Sequence, residues 1–206
     1  MLKRPAFLAI VSAVLLAGCS ILPGGGPAPN LYNLTPKSVF RSEVPKIEYQ
    51  LVIEEPLAAG GLDSNRIALK PTPTELKYFA RSRWTERAPK MVQTLIVESF
   101  ENTGKIVAVG RQVIGLRSDF SLKAELREFQ AEYYDGGSVP VVRVRINAKL
   151  IRQPRQAIVA SQSFEAELRS TGSGIEPIVT AFDEALGKVI KDLVVWTMVG
   201  MNQAGA

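Results

Sequence analysis

The chain has no histidine and a single cysteine, Cys19, in 206 residues. Without histidine it lacks the commonest general base near neutral pH and the commonest zinc ligand. Ser-His-Asp and Cys-His nucleophilic chemistry and every His-containing metal site are therefore excluded. One cysteine cannot close an internal disulfide, and a cysteine-poor chain fits either redox compartment. No run of Lys and Arg exceeds two residues, and the formal charge of +5 is spread along the chain. The concentrated footprint of a nucleic-acid binder is missing, so no nucleic-acid partner is expected. Phe79 and the pair Tyr133-Tyr134 sit in no stacking motif of the RNA-binding kind. The leading apolar stretch, Ala6 to Gly18, is too short to span a membrane: as a helix it reaches about 20 Å against a hydrocarbon core of about 30 Å.

What is present starts with that stretch. Lys3 and Arg4 precede it and Cys19 follows it, which is the layout of a bacterial secretory leader. Leu16-Ala17-Gly18-Cys19 resembles the lipobox, in which small residues fit a protease subsite and the cysteine thiolate takes a diacylglyceryl group. Cleavage would leave Cys19 as the first mature residue, carrying a thioether lipid and an N-acyl chain. At about 0.8 kcal/mol per buried CH₂, two or three acyl chains anchor stably where one does not. A plain secreted protein with an incidental Cys19, and an uncleaved anchor, are the competing readings. No cofactor is expected beyond this covalent lipid. Ser20, where inner-membrane retention in enteric bacteria uses Asp, points to the outer membrane. Ser20 to Asn30 (SILPGGGPAPN) reads as a flexible yet extended tether of at most about 35 Å. Gly24 to Gly26 is no phosphate loop, because no strand precedes it and no GK[ST] follows.

From Leu31 the composition is that of one packed domain; across the whole chain 46% is hydrophobic and 22% charged, which argues against disorder. Leu31–Leu34 is a short strand candidate. Lys46–Glu54 alternates, with Ile47, Tyr49, Leu51 and Ile53 on one side. Arg66–Lys70 and Glu75–Ala80 are two further short strands. A helix is predicted over Glu86–Glu101, with Thr85 as cap and Pro89 in the first turn. Lys105–Arg111 is the next strand, and three long strands follow. The first, Asp119–Tyr134, slips phase at Arg127-Glu128, which reads as a bulge. The second alternates from Val142 to Leu150 and the third from Ile158 to Leu168. Turns are expected at Asp135-Gly136-Gly137 and Pro154-Arg155. A last helix is predicted over Gly174–Val199, opened by a capping box at Ser173 and Glu176. The fold expected is one α+β domain with a mixed or antiparallel sheet and two helices on one face. The boundaries read as leader 1–18, lipidated tether 19–30, domain 31–201 and a disordered tail at 202–206.

Candidates for chemistry are few. Asp183-Glu184 and Glu54-Glu55 are neighbours that point apart on a helix or strand, so neither pair converges on a substrate. Arg81, Arg83, Arg87 and Trp84 gather before the first helix. They could meet a lipid headgroup, a partner carboxylate or peptidoglycan; alternatively Trp84 packs under the sheet with its arginines in solvent. Arg143 and Arg145 face outward on their strand, with Arg127 near, and could meet an acidic partner or only water. Ile190, Val194, Met198 and Met201 form a second apolar stripe on the last helix, either buried or shared with another subunit. Arg83, Trp84, Arg143, Arg145 and Met198 are thus the candidate partner contacts. Nothing assembles a nucleophile, a base and an oxyanion donor, so no enzyme is expected.

Several stretches resemble one family. They are Cys19 with its tether, Leu31-Tyr32-Asn33-Leu34, Asn65-Arg66-Ile67-Ala68-Leu69, the run from Glu75 to Trp84, and Leu95 to Arg111. Together they are similar to the auxiliary lipoproteins of ABC-type transport systems, which include the paraquat-inducible lipoprotein C group and companions of MCE-domain lipid transporters. The likeness spans roughly Leu31 to Trp196. It implies a small two-layer sandwich like the N-terminal domain of TolB. It also implies a periplasm-facing lipoprotein that assists traffic of phospholipid or another hydrophobic molecule. The partners it implies are an MCE-domain protein and its permease and ATPase, which carry the conduit and the ATP hydrolysis. A homo-oligomer is compatible with it. Only Cys19 carries over as a functional residue, as the lipidation site. Two other functions fit the residues: an envelope-assembly or activator lipoprotein acting on cell-wall machinery, and a lipid carrier in its own right, which needs a deep apolar cavity.

Overall fold

The computed structural model describes residues 27–40, 44–111, 117–134 and 136–205. Cys19, the expected leader, most of the tether and the turn residue Asp135 lie outside them.

The sheet is organised around one strand. β7 (Phe120–Glu132) pairs antiparallel along its whole length with β8 (Val141–Arg152), which pairs in turn with β9 (Ala157–Arg169). The opposite edge of β7 is shared by three strands, all parallel to it. β2 (Ile47–Ile53) takes Phe120–Leu122, the two-residue β3 (Leu57–Ala58) takes Glu125 and Leu126, and β4 (Arg66–Thr72) takes Gln130–Glu132. β6 (Ile106–Arg111) extends the sheet beyond β2. At the other end β5 (Glu75–Trp84) pairs antiparallel with β4, and β1 (Asn30–Tyr32) pairs parallel with β5. The nine strands form a mixed open sheet, and α1 (Ala88–Glu101) and α2 (Ile175–Gly205) pack on one face, as the sequence predicts.

The alternation in the strands decides which face is covered. Val142, Val144, Ile146, Ala148 and Leu150 of β8 are fully buried against the helices, while Arg143, Arg145, Asn147 and Lys149 stand on the other, helix-free face. In β7 the register shifts between Leu126 and Glu128, at the predicted bulge. The extra residue returns both Leu126 and Phe129 to the core side, where a strict period of two would have exposed one of them. Phe129 then meets Trp84 of β5 and Phe182 of α2, with ring centroids 5.0–5.6 Å apart. Both stripes of α2 are buried, Ile178 to Leu193 and Ile190 to Met201 alike, because the helix lies over β8 and β9 and also touches α1. Each such side chain contributes about 1.5–3 kcal/mol on burial.

The ends of the helices differ from the sequence reading. Arg87, not Thr85, precedes the first turn of α1 and makes no side-chain cap; the Thr85 hydroxyl donates instead to the Asn33 side chain. The proline tolerated at that end is present, at Pro89. At the other end Gly104 adopts φ of +61°, where a side chain would be strained. In α2 the Gly174 carbonyl accepts from Ile178, which puts Ser173 one residue ahead of the capping position. The expected tail at 202–206 is corrected as well. α2 continues through Gly205, and its last carbonyls accept from Arg152, at Ala204, and from the Tyr49 hydroxyl, at Gly205. Two long-range donors satisfy two of the orphan acceptors at this end, which holds the last turn against fraying.

Candidate interaction surface

The helix-free face of the sheet carries a cross-strand ion-pair layer. Arg143 sits between β7 and β9. Its Nε donates to Glu165 at 2.5 Å and a terminal nitrogen lies 2.8 Å from Glu167, with Glu132 3.8 Å away. Arg145 reaches Glu128 at 2.8 Å, and Lys70 of β4 reaches the other oxygen of the same carboxylate at 3.3 Å. The Gln130 amide lies between Glu128 and Glu132 and donates to both. Register makes these meetings, since Glu128 is opposite Arg145 and Arg143 is opposite Glu167. Opposite charges facing each other across strands stabilise by a few tenths to about 1 kcal/mol per pair.

The electrostatics follow from this packing. Burial pushes the Glu128 carboxyl up; the hydrogen bonds from Gln130 and Lys70, with the charges of Lys70 and Arg145, outweigh that and hold it below the usual carboxylate range. The hydrogen bond to Glu165 raises the Arg143 guanidinium, helped by Glu167 and Glu132. The Tyr134 phenol is pushed up to about 12 by burial and by the neighbouring Glu132, so it stays protonated at physiological pH. Arg143 and Arg145, expected to face outward, do so. Their charge is already met by four carboxylates of the chain itself, which leaves little for an acidic partner.

The other candidates separate. Trp84 is 1% exposed and Met198 is 0% exposed, so neither presents surface to a partner in this structure. Trp84 is enclosed by Phe129 and Phe182, and its indole Nε1 has no hydrogen-bond acceptor among the described residues. Arg83, between buried Ser82 and buried Trp84, is half-buried on the outer side of β5 and donates to the Asn65 side chain at 3.2 Å. Arg87 is held by Asp63 and Glu55. Of the paired carboxylates, Asp183 accepts from both the backbone and the hydroxyl of Thr35, and Glu54 lies 3.6 Å from Lys123. No pair converges on a common point.

Sequence reasoning missed β3 and the feature it creates. Leu57 is 72% exposed on the helix-free face, between two clefts of about 280 and 470 Å³. Lys123, Lys149 and Glu54 line the first and Arg127 and Arg145 the second, with Glu125 common to both. Both are open and charged, unlike the deep apolar cavity that a lipid carrier requires. Among the described residues no His, Cys, Asp and Glu cluster could hold a metal ion, and no helix is long and apolar enough to cross a membrane.

Residues 32–194 match the family described as the ABC-type transport auxiliary lipoprotein component. The chain belongs to this family. It is also similar to a Xanthomonas campestris protein of known crystal structure, assigned to the DUF330 family. The two are 34% identical with a TM-score of 0.80, over 85% of this chain and 98% of the other. A second crystal structure, of an uncharacterized protein, shares the fold at 16% identity and a TM-score of 0.64, over 81% of this chain and 97% of that one. An uncharacterized Bradyrhizobium diazoefficiens protein is 28% identical over 91% of this chain, which spans about half (50%) of that relative's length. The family's description is that of a lipoprotein component of ABC-type transport systems.

Proposed function

We propose that this protein is a non-enzymatic, lipid-anchored component of an MCE-type ABC transport system, facing the periplasm and assisting movement of phospholipid or another hydrophobic molecule across the envelope. The observation that carries the reading is the joining, in one chain, of a leader-like apolar stretch and the sequence Leu16-Ala17-Gly18-Cys19 to a domain of the auxiliary lipoprotein family over residues 32–194. In this reading the leader is removed, and Cys19 carries diacylglycerol and an N-acyl chain. Ser20 favours the outer membrane. The tether lets the domain stand up to about 35 Å from the bilayer. The domain works by contact, and ATP hydrolysis and the lipid conduit belong to partner subunits. The packed aromatic core and the charged, open clefts favour this over a carrier that encloses its cargo.

Two measurements test it. Mass spectrometry of the native protein should find residue 19 as the amino terminus with its lipid; an unmodified Cys19 behind an intact leader refutes the anchor. Crosslinking in cells, followed by purification in mild detergent, should recover an MCE-domain protein together with a permease and an ATPase. Recovery of a cell-wall synthase in their place supports the activator reading and refutes this one.

A further inference from the structure

Two sets of arginines differ in their surroundings among the described residues. Arg87, Arg127, Arg143 and Arg145 are each ion-paired with one or more carboxylates. Arg66, Arg81 and Arg83, gathered on the β1–β5–β4 edge, have no carboxylate partner among the described residues. Arg66 stands opposite Arg83 across the two strands, so two guanidinium groups share one face, and Leu31 of β1 is paired with Arg83 on its other side. Arg66 lies 3.7 Å over the Tyr78 ring, and Arg83 has only the neutral Asn65 as a partner. The nearby acids are engaged elsewhere: Asp63 by Arg87, Glu86 by Lys90 and Glu75 by Lys77.

The backbone adds a further exposed charge. Between β4 and β5, two residue steps on β4, from Ala68 to Arg66, face five on β5, from Tyr78 to Arg83. The surplus bulges out, and within it Arg81 adopts φ of +53°, a left-handed conformation that side-chain-bearing residues rarely take. Arg81 is exposed. Beside it Leu31 is 62% exposed. An apolar side chain ringed by uncompensated arginines is the composition of a surface that meets anionic headgroups, where each cation adds attraction and the apolar tip enters the interface.

The occupant is indicated by the course of the chain. β1 is the first described strand, and its start, Asn30, is paired with Ser82 in the middle of this patch. Eleven residue steps separate Asn30 from Cys19, a reach of at most about 35 Å. A bilayer holding residue 19 is therefore always within reach of this edge. We infer that the β1–β5–β4 edge, through Arg66, Arg81, Arg83 and Leu31, docks on the anionic phospholipid surface of the membrane that carries the anchor. Docking would fix the orientation of the domain and turn the charged helix-free face and α2 toward partners. This inference rests on the proposed lipid anchor at Cys19.

The test uses the mature protein purified from envelopes and reconstituted into vesicles of phosphatidylcholine, alone or with 30% phosphatidylglycerol. Flotation with the phosphatidylcholine vesicles reads the anchor. Hydrogen exchange of the amides in 77–84 reads the docking. The expected result is flotation with both vesicles and exchange at least about fivefold slower on the anionic one. The difference should vanish in 0.5 M NaCl and in the R66Q/R81Q/R83Q variant. It should persist in K149Q/K188Q/K191Q, which loses the same charge elsewhere. Flotation with equal exchange on the two bilayers overturns the docking and leaves the anchor standing; failure to float with phosphatidylcholine overturns both. Loss of the difference in both triple variants shows unspecific charge attraction and also overturns the docking.

Discussion

Replacing Trp84 with alanine and with phenylalanine separates two properties of the same side chain. The indole is enclosed by Phe129 and Phe182, with centroids at 5.6 and 5.3 Å, and its Nε1 has no acceptor among the described residues. Trp84→Ala removes the largest buried side chain of the core, for which the expected loss is about 3–5 kcal/mol. For a domain of this size each kcal/mol moves the melting temperature by about 2–4 °C, which gives a drop of roughly 6–20 °C. Trp84→Phe keeps one ring in the cluster. It loses part of the packing but also releases a buried, unpaired N–H, whose burial costs about 1–3 kcal/mol. The two effects oppose each other, so the phenylalanine variant should melt within about 5 °C of the parent. Thermal unfolding followed by circular dichroism measures both. If Trp84→Phe falls as far as Trp84→Ala, the indole nitrogen makes a stabilising bond and the reasoning fails. If Trp84→Ala melts with the parent, Trp84 is no core residue, and a role as a partner contact returns.

Glu128 has a depressed folded pKa, so its stabilisation is complete above its ordinary value of 4.5 and is lost as pH falls through the lower folded value. Glu128→Gln should therefore flatten the acid limb of melting temperature against pH below about 4.5, while changing the midpoint at pH 7 more than at pH 3. Asp183→Ala removes the acceptor of Thr35; residues 30–37 should be cleaved faster by a nonspecific protease with little change in overall melting, because the contact is exposed. Tyr49→Phe with Arg152→Gln removes both donors at the end of α2, and amide exchange should accelerate in residues 202–205 but not before Met198. Gly104→Ala forces a side chain into φ of +61° and should cost about 1 kcal/mol in denaturant unfolding.

The long elements were legible because their patterns are internal to one segment. The phase slip at Arg127-Glu128 is visible along β7 alone, and the two stripes of α2 are visible along that helix alone. The outward direction of Arg143 and Arg145 follows from alternation in β8 by itself. Their saturation by Glu128, Glu132, Glu165 and Glu167 does not, since it depends on cross-strand register among three strands. β3 escaped because two residues carry no period. The extension of α2 to Gly205 escaped because Asn202-Gln203-Ala204-Gly205 has no apolar stripe, and the groups that hold it lie in β2 and at the end of β8. Arg81 was legible as one of the basic residues gathered before the first helix; its left-handed backbone was not, because φ leaves no mark in composition.

The way β7 shares one of its edges has a consequence for how the chain matures. β7, β8 and β9 are consecutive hairpins and can assemble from neighbouring sequence, whereas β3 pairs, among the described strands, with β7 alone, and β2 and β4 each have β7 as their inner neighbour. A chain that emerges amino end first delivers β2, β3 and β4 well before the strand that joins them. Until about residue 132 has emerged, the early strands hold no common template, and their apolar sides stay uncovered.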